Sequence, residues 1–349
     1  MAARMKDVAE RAGVSVTTVS HVLNSTPHRP IAAATRDRIL AAVRELDYHA
    51  DANARRLAQN RSNLFGLVVS EIANPFFPDV IKAFETSALA HGFDVLLCNT
   101  EYDAGRTHIA VRKMIENKVR GVAVITSMFD RVFAEELASR EVPVVVLGAG
   151  LAGPGISAVE LEFGRGMGQA IDHLIELGHE EIAFVSGPQH IASAIRIRDA
   201  FVHATGRRRV RTGRVVQSNY KVDGGASAVA ALAAADGFPT AIACGNDLIA
   251  VGVISALEDV GISVPADVSV IGYDNILVSR LARPPLTTVE VPRELLGRTA
   301  FRALENMQRS PSHTGRVHKL GTELVIRRST AAVRTEGLGP RSREAANAR

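Results

Sequence analysis

Thr17, Thr18 and His21 fall within five residues of one another at spacings that share a helical face. Each carries a small donor or acceptor of the kind that reads base edges in a DNA major groove. They sit in residues 6–24, KDVAERAGVSVTTVSHVLN. Two apolar stripes run through this stretch at helical spacing: Val8, Ala9 and Ala12, then Val19, Val22 and Leu23. Between them Gly13 can take the positive φ of a sharp helix exit, Val14 fills the angle, and Ser15 is a good N-cap for a second helix. The pattern predicts a helix-turn-helix whose second helix opens Val16-Thr17-Thr18. A plain helical hairpin with a polar face has the same spacing.

No catalytic constellation competes with this reading. Gly148-x-Gly150-x-x-Gly153 spells a dinucleotide fingerprint after an apolar run. That motif works only where a helix begins, so that its N-terminus meets the pyrophosphate. Here Pro154 and Gly155 follow at once, and helical pattern resumes only at Gly164. There is no P-loop, no GxSxG elbow and no metal-spaced His/Cys cluster, and the 11 histidines are scattered. Neither an enzyme nor a cofactor is expected. Cys98 and Cys244 each end an apolar run, far apart, and read as buried reduced thiols.

A DNA-reading face needs other elements to position it. A loop at 25–30 leads to a third helix at 35–46, with Ile39, Leu40, Val43 and Leu46 on one face. Residues 48–59, YHADANARRLAQ, are alanine-rich and poor in large apolar groups, so an isolated helix there is marginal. From residue 63 short apolar runs recur at 64–69, 93–99, 121–125, 142–148, 181–187, 213–217, 240–246 and 268–274, alternating with helical patterns. Continuous apolar runs separated by helices signal buried parallel strands. Eight units exceed one ordinary open sheet, and Pro154-Gly155 interrupts the repeat near its middle, so two doubly wound parallel sheets are expected. Ligands bind such sheets at the carboxyl ends of the strands, which nominates 70–77, 99–101, 126–128, 148–150 and 186–188 with Asn246 and Asp274. Residues 329–349 are polar and aperiodic, and read as a disordered tail.

At 349 residues, 46% hydrophobic and 22% charged, the chain has the profile of a soluble protein of two or three domains. No apolar run approaches the roughly 20 residues of a membrane span, and no signal-peptide core is visible, so a cytoplasmic location is expected. The net charge of +4 is uneven. Residues 1–62 hold ten Lys/Arg against six Asp/Glu, or +4; residues 329–349 hold four against two, or +2; the body is therefore −2. The basic end coincides with the helix-turn-helix, as phosphate contact requires.

Lys6-Asp7-Val8-Ala9, Ala12-Gly13-Val14-Ser15 and the run TTVSHVLN at 17–24 resemble the DNA-binding segment of the LacI/GalR family of bacterial transcription regulators. Asn74-Pro75-Phe76-Phe77, GHEEIAF at 178–184, Cys244-Gly245-Asn246-Asp247 and PADVSVIGYDN at 265–275 resemble that family's two-lobed, periplasmic-binding-protein-like body. The resemblance implies a repressor that binds a palindromic double-stranded operator as a homodimer, under control of a small molecule, a sugar or related metabolite, held between the lobes. It implies a DNA-binding domain at 1–48, a hinge helix and linker at 49–62 and an effector domain at 63–328. Lobe 1 is then about 63–161 with 292–321, and lobe 2 about 162–291 with 322–328. The DNA contacts implied are Val16, Thr17, Thr18, His21, Asn24 and Tyr48, then Arg55, Arg56, Leu57 and Ala58, with Leu57 the wedge between base steps. The effector contacts implied are Phe76, Phe77, Glu160, Arg198, Tyr220, Asn246 and Asp274.

Several positions depart from the family pattern. Arg4 stands where an N-cap hydroxyl is usual, which leaves helix 1 prone to fray. Gly148-Ala149-Gly150 replaces an acid and an arginine, and Glu160-Leu161 replaces Asp-Asn. The usual pocket arginine position holds Ile197, with Arg196 and Arg198 on either side. The other class these features admit is a cytosolic solute receptor with no DNA role; the basic N-terminal domain and lack of an export signal speak against it.

Overall fold

The computed structural model describes residues 3–23, 31–48, 62–126, 133, 135–136, 139–148, 152–208, 210–234, 238–309 and 314–333. Its contacts divide the chain into two units, Met1–Ser62 and Asn63–Arg349.

Among the described residues the first unit holds three helices, α1 (Met5–Ala12), α2 (Val16–Leu23) and α3 (Ala33–Glu45). Gly13 ends α1 at φ 64°, and the Ser15 hydroxyl accepts from the Thr18 N–H (3.1 Å) to cap α2. Val8, Val19 and Ile39 are fully buried, and Val14 packs against the cluster they form. The N-terminus of α1 is not bare despite Arg4. The Asp7 carboxylate accepts from the Arg4 N–H (2.7 Å), satisfying one orphan donor and placing negative charge in the first turn. Arg11 ties α1 to Glu45 on α3 (2.6 Å). Leu40, read on the inward face of α3, is instead 40% exposed, because Ile39 and Ala42 set the buried stripe. The loop 25–30 lies outside the described residues, as does nearly all of the expected hinge.

The second unit contains two six-stranded sheets. The strands of the first are β1 (Leu64–Val69), β2 (Asp94–Asn99), β3 (Val122–Ile125), β4 (Val144–Leu147), β5 (Ile156–Glu162) and β11 (Val317–Gly321). Their order is β11-β5-β4-β3-β1-β2, all parallel. The second comprises β6 (Glu181–Ser186), β7 (Arg211–Gln217), β8 (Ala241–Cys244), β9 (Ser269–Asp274), β10 (Thr287–Glu290) and β12 (Glu323–Val325). Its order is β12-β10-β9-β8-β6-β7, parallel except where β12 meets β10. Among the described residues the helices of this unit are α4 (Phe76–Ala90), α5 (Ala104–Glu116), α6 (Phe163–Glu176), α7 (Ala192–Arg208), α8 (Val222–Ala233), α9 (Asp247–Asp259), α10 (Leu277–Leu281) and α11 (Arg293–Arg309). Four strands, β5, β10, β11 and β12, escape the apolar-run reading. β5 alternates polar and apolar residues, and the others are three to five residues long.

The chain passes from the first sheet to the second after β5, returns after β10, and leaves again between β11 and β12. Thr322, fully buried at the last crossing, donates its hydroxyl proton to the Glu162 carbonyl (2.9 Å) and accepts from the Gly166 N–H (3.0 Å). The Tyr273 hydroxyl reaches the Phe163 carbonyl (3.3 Å), so two crossings and β9 are laced together. The tail reading is corrected for residues 329–333. Ser329 is fully buried, its hydroxyl accepts from the Thr287 N–H (2.8 Å), and the Val333 N–H donates to the Leu177 carbonyl (2.8 Å). Short polar residues can be core when they satisfy strand-end groups, which composition does not reveal. Residues 334–349 lie outside the described residues.

Both cysteines are free, and burial raises both thiol pKa values, holding them protonated. Among the described residues no helix is long and apolar enough to cross a membrane, and no His/Cys/Asp/Glu group could hold a metal ion. Thr322→Val, which keeps the shape but leaves a buried N–H and C=O unpaired, is expected to lower unfolding stability by about 1–3 kcal/mol. Urea denaturation measures this, and an unchanged midpoint would contradict the role given to the crossing.

Candidate functional site

The carboxyl ends of the two sheets face a cleft with a cavity volume of about 70 Å³, lined from both lobes. Phe76 and Phe77 enter it from the start of α4, their rings edge to face with centroids 5.1 Å apart. They stand there because the Asn74 side chain accepts from the Phe76 N–H (3.0 Å) and starts the helix. Ile125 and Leu147 come from the ends of β3 and β4, and Leu161, Phe163 and Val291 from the crossings. The second lobe contributes Ser193 and Ile197 on α7, Tyr220 before α8, and Asn246 and Asp274 at the ends of β8 and β9.

Most polar groups here already have partners. Asn246 caps α9 by accepting from the Ile249 N–H (2.8 Å) and donates its amide to the Tyr220 carbonyl (3.1 Å). That second bond holds Tyr220 at φ 65°, a left-handed conformation that costs about 1–3 kcal/mol outside such a setting. The Tyr220 ring lies directly against Gly187, where an added Cβ would overlap it. Ser193 hydrogen-bonds the Tyr220 hydroxyl, and Asn74 does the same for Tyr102, whose pKa burial pushes up to about 12. Burial also raises the Tyr220 pKa, so both phenols stay protonated.

Asp274 lines the cleft, and a second acid, Asp247, is buried behind it. Asp247 is fully buried at the start of α9, accepting from the Ile276 N–H (2.8 Å) and from the Thr288 hydroxyl. Desolvation raises its pKa to about 7. Asp274 is raised well above the usual carboxylate range by desolvation and then by the nearby Asp247. Asp274 and Asn275 both adopt positive φ, 104° and 53°. Arg293 secures this turn, donating to the Asp274 carbonyl and to the Asn275 carbonyl (3.0 Å). Its Nε meanwhile pairs with Asp79 on α4 (3.0 Å), so one guanidinium joins the two lobes across the rim.

Of the seven effector residues expected from sequence, Phe76, Phe77, Tyr220, Asn246 and Asp274 line the cleft, whereas Glu160 and Arg198 do not. Glu160 is displaced by strand alternation: on β5 its neighbour Leu161 faces the cavity. The Arg198 guanidinium is drawn aside by Gln189 and by Asp199 (2.7 Å), and Ile197 lines the cavity in its place. Tyr102 lies one residue beyond the nominated stretch 99–101, three past the end of β2. Leu161 and Phe163 were missed because β5 lacks an apolar run.

In the first unit α2 presents Val16, 44% exposed, and Thr17, exposed, with Thr18 and His21 half-buried beside them. The Thr18 hydroxyl is engaged with Ser15 (2.8 Å). Tyr48, expected among the DNA contacts, packs its ring into the three-helix core at 8% exposure. Asn24, Arg55, Arg56, Leu57 and Ala58 lie outside the described residues.

A helix-turn-helix unit followed by a two-lobed body with a cleft at the carboxyl ends of its strands defines a class: a periplasmic-binding-protein-like receptor carrying a DNA-reading headpiece. Residues 4–51 match the bacterial regulatory proteins of the lacI family, and 171–330 match the periplasmic binding protein-like domain. The chain is 37% identical over 334 residues to the HTH-type transcriptional repressor PurR of Photobacterium profundum, covering 94% of this chain and 98% of that one. It belongs to the lacI family of bacterial regulatory proteins. Among solved structures, the Lac repressor dimer bound to operator and the anti-inducer ONPF superposes with a TM-score of 0.87 at 27% identity, covering 95% of this chain and 100% of that one. The transcriptional regulator CelR in complex with cellobiose superposes at 0.68 and 27% identity, covering 94% and 99%.

The buried acid at 247 has a measurable signature. Its folded pKa of about 7 exceeds the ordinary 3.8, so the folded state holds the proton more tightly. The associated stability is present below pH ~4 and is lost as pH rises toward 7. Asp247→Asn mimics the protonated acid and removes this loss. Relative to wild type, the variant is expected to gain roughly 2–4 kcal/mol between pH 4 and pH 8. Denaturation midpoints at the two pH values test it, and a pH-independent difference would refute the burial argument.

Proposed function

We propose that this protein is a transcription repressor that binds a palindromic operator as a homodimer and is switched by a small molecule held between its lobes. What carries the reading is the joining, in one chain, of an exposed Val16-Thr17 face on a capped α2 with a cleft lined from both lobes. In this reading Val16 meets a thymine methyl, and Thr17, Thr18 and His21 read polar base edges. Asn24, Arg55 and Arg56 contact mainly phosphates, Leu57 wedges into the central step, and Ala58 lies beside it. Tyr48 supports the headpiece from its core. The setting is cytoplasmic, and no catalytic step belongs to the mechanism.

The ligand acts by differential affinity. Cleft closure moves the first lobe and changes the chance that two hinge segments fold together on DNA, a coupling of about 1–3 kcal/mol in typical cases. A footprint on the chain's own upstream region, run across a salt series, tests the DNA role: protection of a palindrome is expected, and binding without sequence preference would sink the reading. Within it, Leu57→Ala is expected to weaken specific binding by at least about tenfold while leaving non-specific binding nearly unchanged. Equal losses on both would remove Leu57 from the wedge role.

A further inference from the structure

The cleft has an unusual balance of groups for a site that would hold a polyhydroxylated or anionic molecule. Its walls are the rings of Phe76, Phe77 and Phe163 and the side chains of Leu147, Leu161 and Ile197. Among the described residues that line it there is no Lys, Arg or His. The guanidinium of Arg293 directs its nitrogens to Asp79 and to the backbone carbonyls of Asp274 and Asn275.

The amides offer little more. Both ends of Asn246 are used, one on α9 and one on Tyr220. Asn74 is divided between the Phe76 N–H and the Tyr102 hydroxyl, and Ser193 is turned to Tyr220. Asp274 is different. Its carboxyl faces the cavity, and none of the described residues donates a hydrogen bond to it. A half-buried carboxyl that faces the cavity with no donor among the described residues offers an acceptor to a ligand.

Three ligand chemistries can be weighed against this lining. Each sugar hydroxyl left without a partner against the aromatic and aliphatic walls costs about 1–3 kcal/mol of lost hydration. A carboxylate or phosphate would meet an acid and, among the described residues, no cation. An aromatic body gains on burial and packs edge to face on the phenylalanines, and a protonated amine attached to it supplies the positive charge that draws the raised Asp274 carboxyl to its ionised form, its proton leaving to solvent, and also meets the faces of the rings.

We propose that the cleft takes a small arylalkylamine-type ligand, an apolar aromatic body bearing one ammonium group that donates to Asp274, and that it rejects carbohydrates and anions. This rests on the reading of the cleft as the effector site and names the chemistry of that effector.

Calorimetric titration of the full-length protein with four probes tests it: phenethylamine, its neutral isostere 2-phenylethanol, the anion 3-phenylpropionate, and glucose. Phenethylamine is expected to bind at one site per chain and at least about tenfold more tightly than 2-phenylethanol. The anion and glucose are expected to give no binding heat. Asp274→Asn should bring the amine down to the affinity of the alcohol. Ile197→Arg should reverse the charge preference, admitting 3-phenylpropionate and excluding the amine. Thermal melts of both variants establish that they fold. Tighter binding of glucose or 3-phenylpropionate than of the amine to wild type would overturn the proposal. So would silence from all four probes, or amine binding indifferent to Asp274→Asn. The wider reading fails separately: a probe that saturates the cleft yet leaves operator affinity unchanged would remove the effector role while leaving the ligand chemistry intact. A sugar that binds and shifts operator affinity would do the opposite.

Discussion

Asp274 at the cleft and Asp247 buried behind it lie within reach of each other's field, and the arrangement around Arg293 is what makes that tenable. The guanidinium does not neutralise them by direct pairing. It fixes the carbonyls of Asp274 and Asn275, holding two consecutive residues in a conformation that side-chain-bearing residues seldom adopt. That turn sends the Asp274 carboxyl toward the cavity, and it lets Asp247 turn its own carboxyl to the Ile276 N–H and Thr288. Because the same arginine also pairs with Asp79, the floor of one lobe is referenced to the helix that carries Phe76 and Phe77 on the other. Aromatic wall and acidic floor therefore keep their relative positions only while that bridge is in place.

The two lobes are joined by three short chain crossings, and the hydrogen bonds of Thr322 and Tyr273 bind them into a compact joint. Such a joint allows the sheets to rock while their facing edges stay opposed. A molecule that touches both lobes can bias that motion, whereas one that touches only one cannot. The lining of the cleft draws on both sheets and on the crossings themselves, so any ligand large enough to fill it meets all three.

Much of this was legible in the sequence where the physics is local. The Gly13 turn, the Ser15 cap and the buried stripes of α1 and α2 follow from φ freedom, side-chain acceptors and helical period. Long apolar strands were plain for the same reason. What was hidden depends on neighbours far along the chain. β5 carries glutamates because one end leads out to a crossing, so its alternation masked a buried strand and hid Leu161 and Phe163. Arg198 looked like a pocket cation until Gln189 and Asp199 were seen to hold it aside. Ser329 looked like the start of a solvated tail, yet its hydroxyl closes a strand end that only the folded sheet creates. Lone polar residues gain their meaning from partners that spacing does not show.

The chain contains no tryptophan and four tyrosines. Tyr102 and Tyr220 border the cleft, Tyr273 stands at the crossing beside it, and only Tyr48 lies in the headpiece. Ultraviolet emission from this protein is therefore chiefly a report from the cleft. Its phenols are shielded from bulk water and adjoin a carboxyl group, so a change in occupancy alters quenching at the chromophores that dominate the signal. The native polypeptide carries its own optical gauge of the state of its pocket, with no label attached.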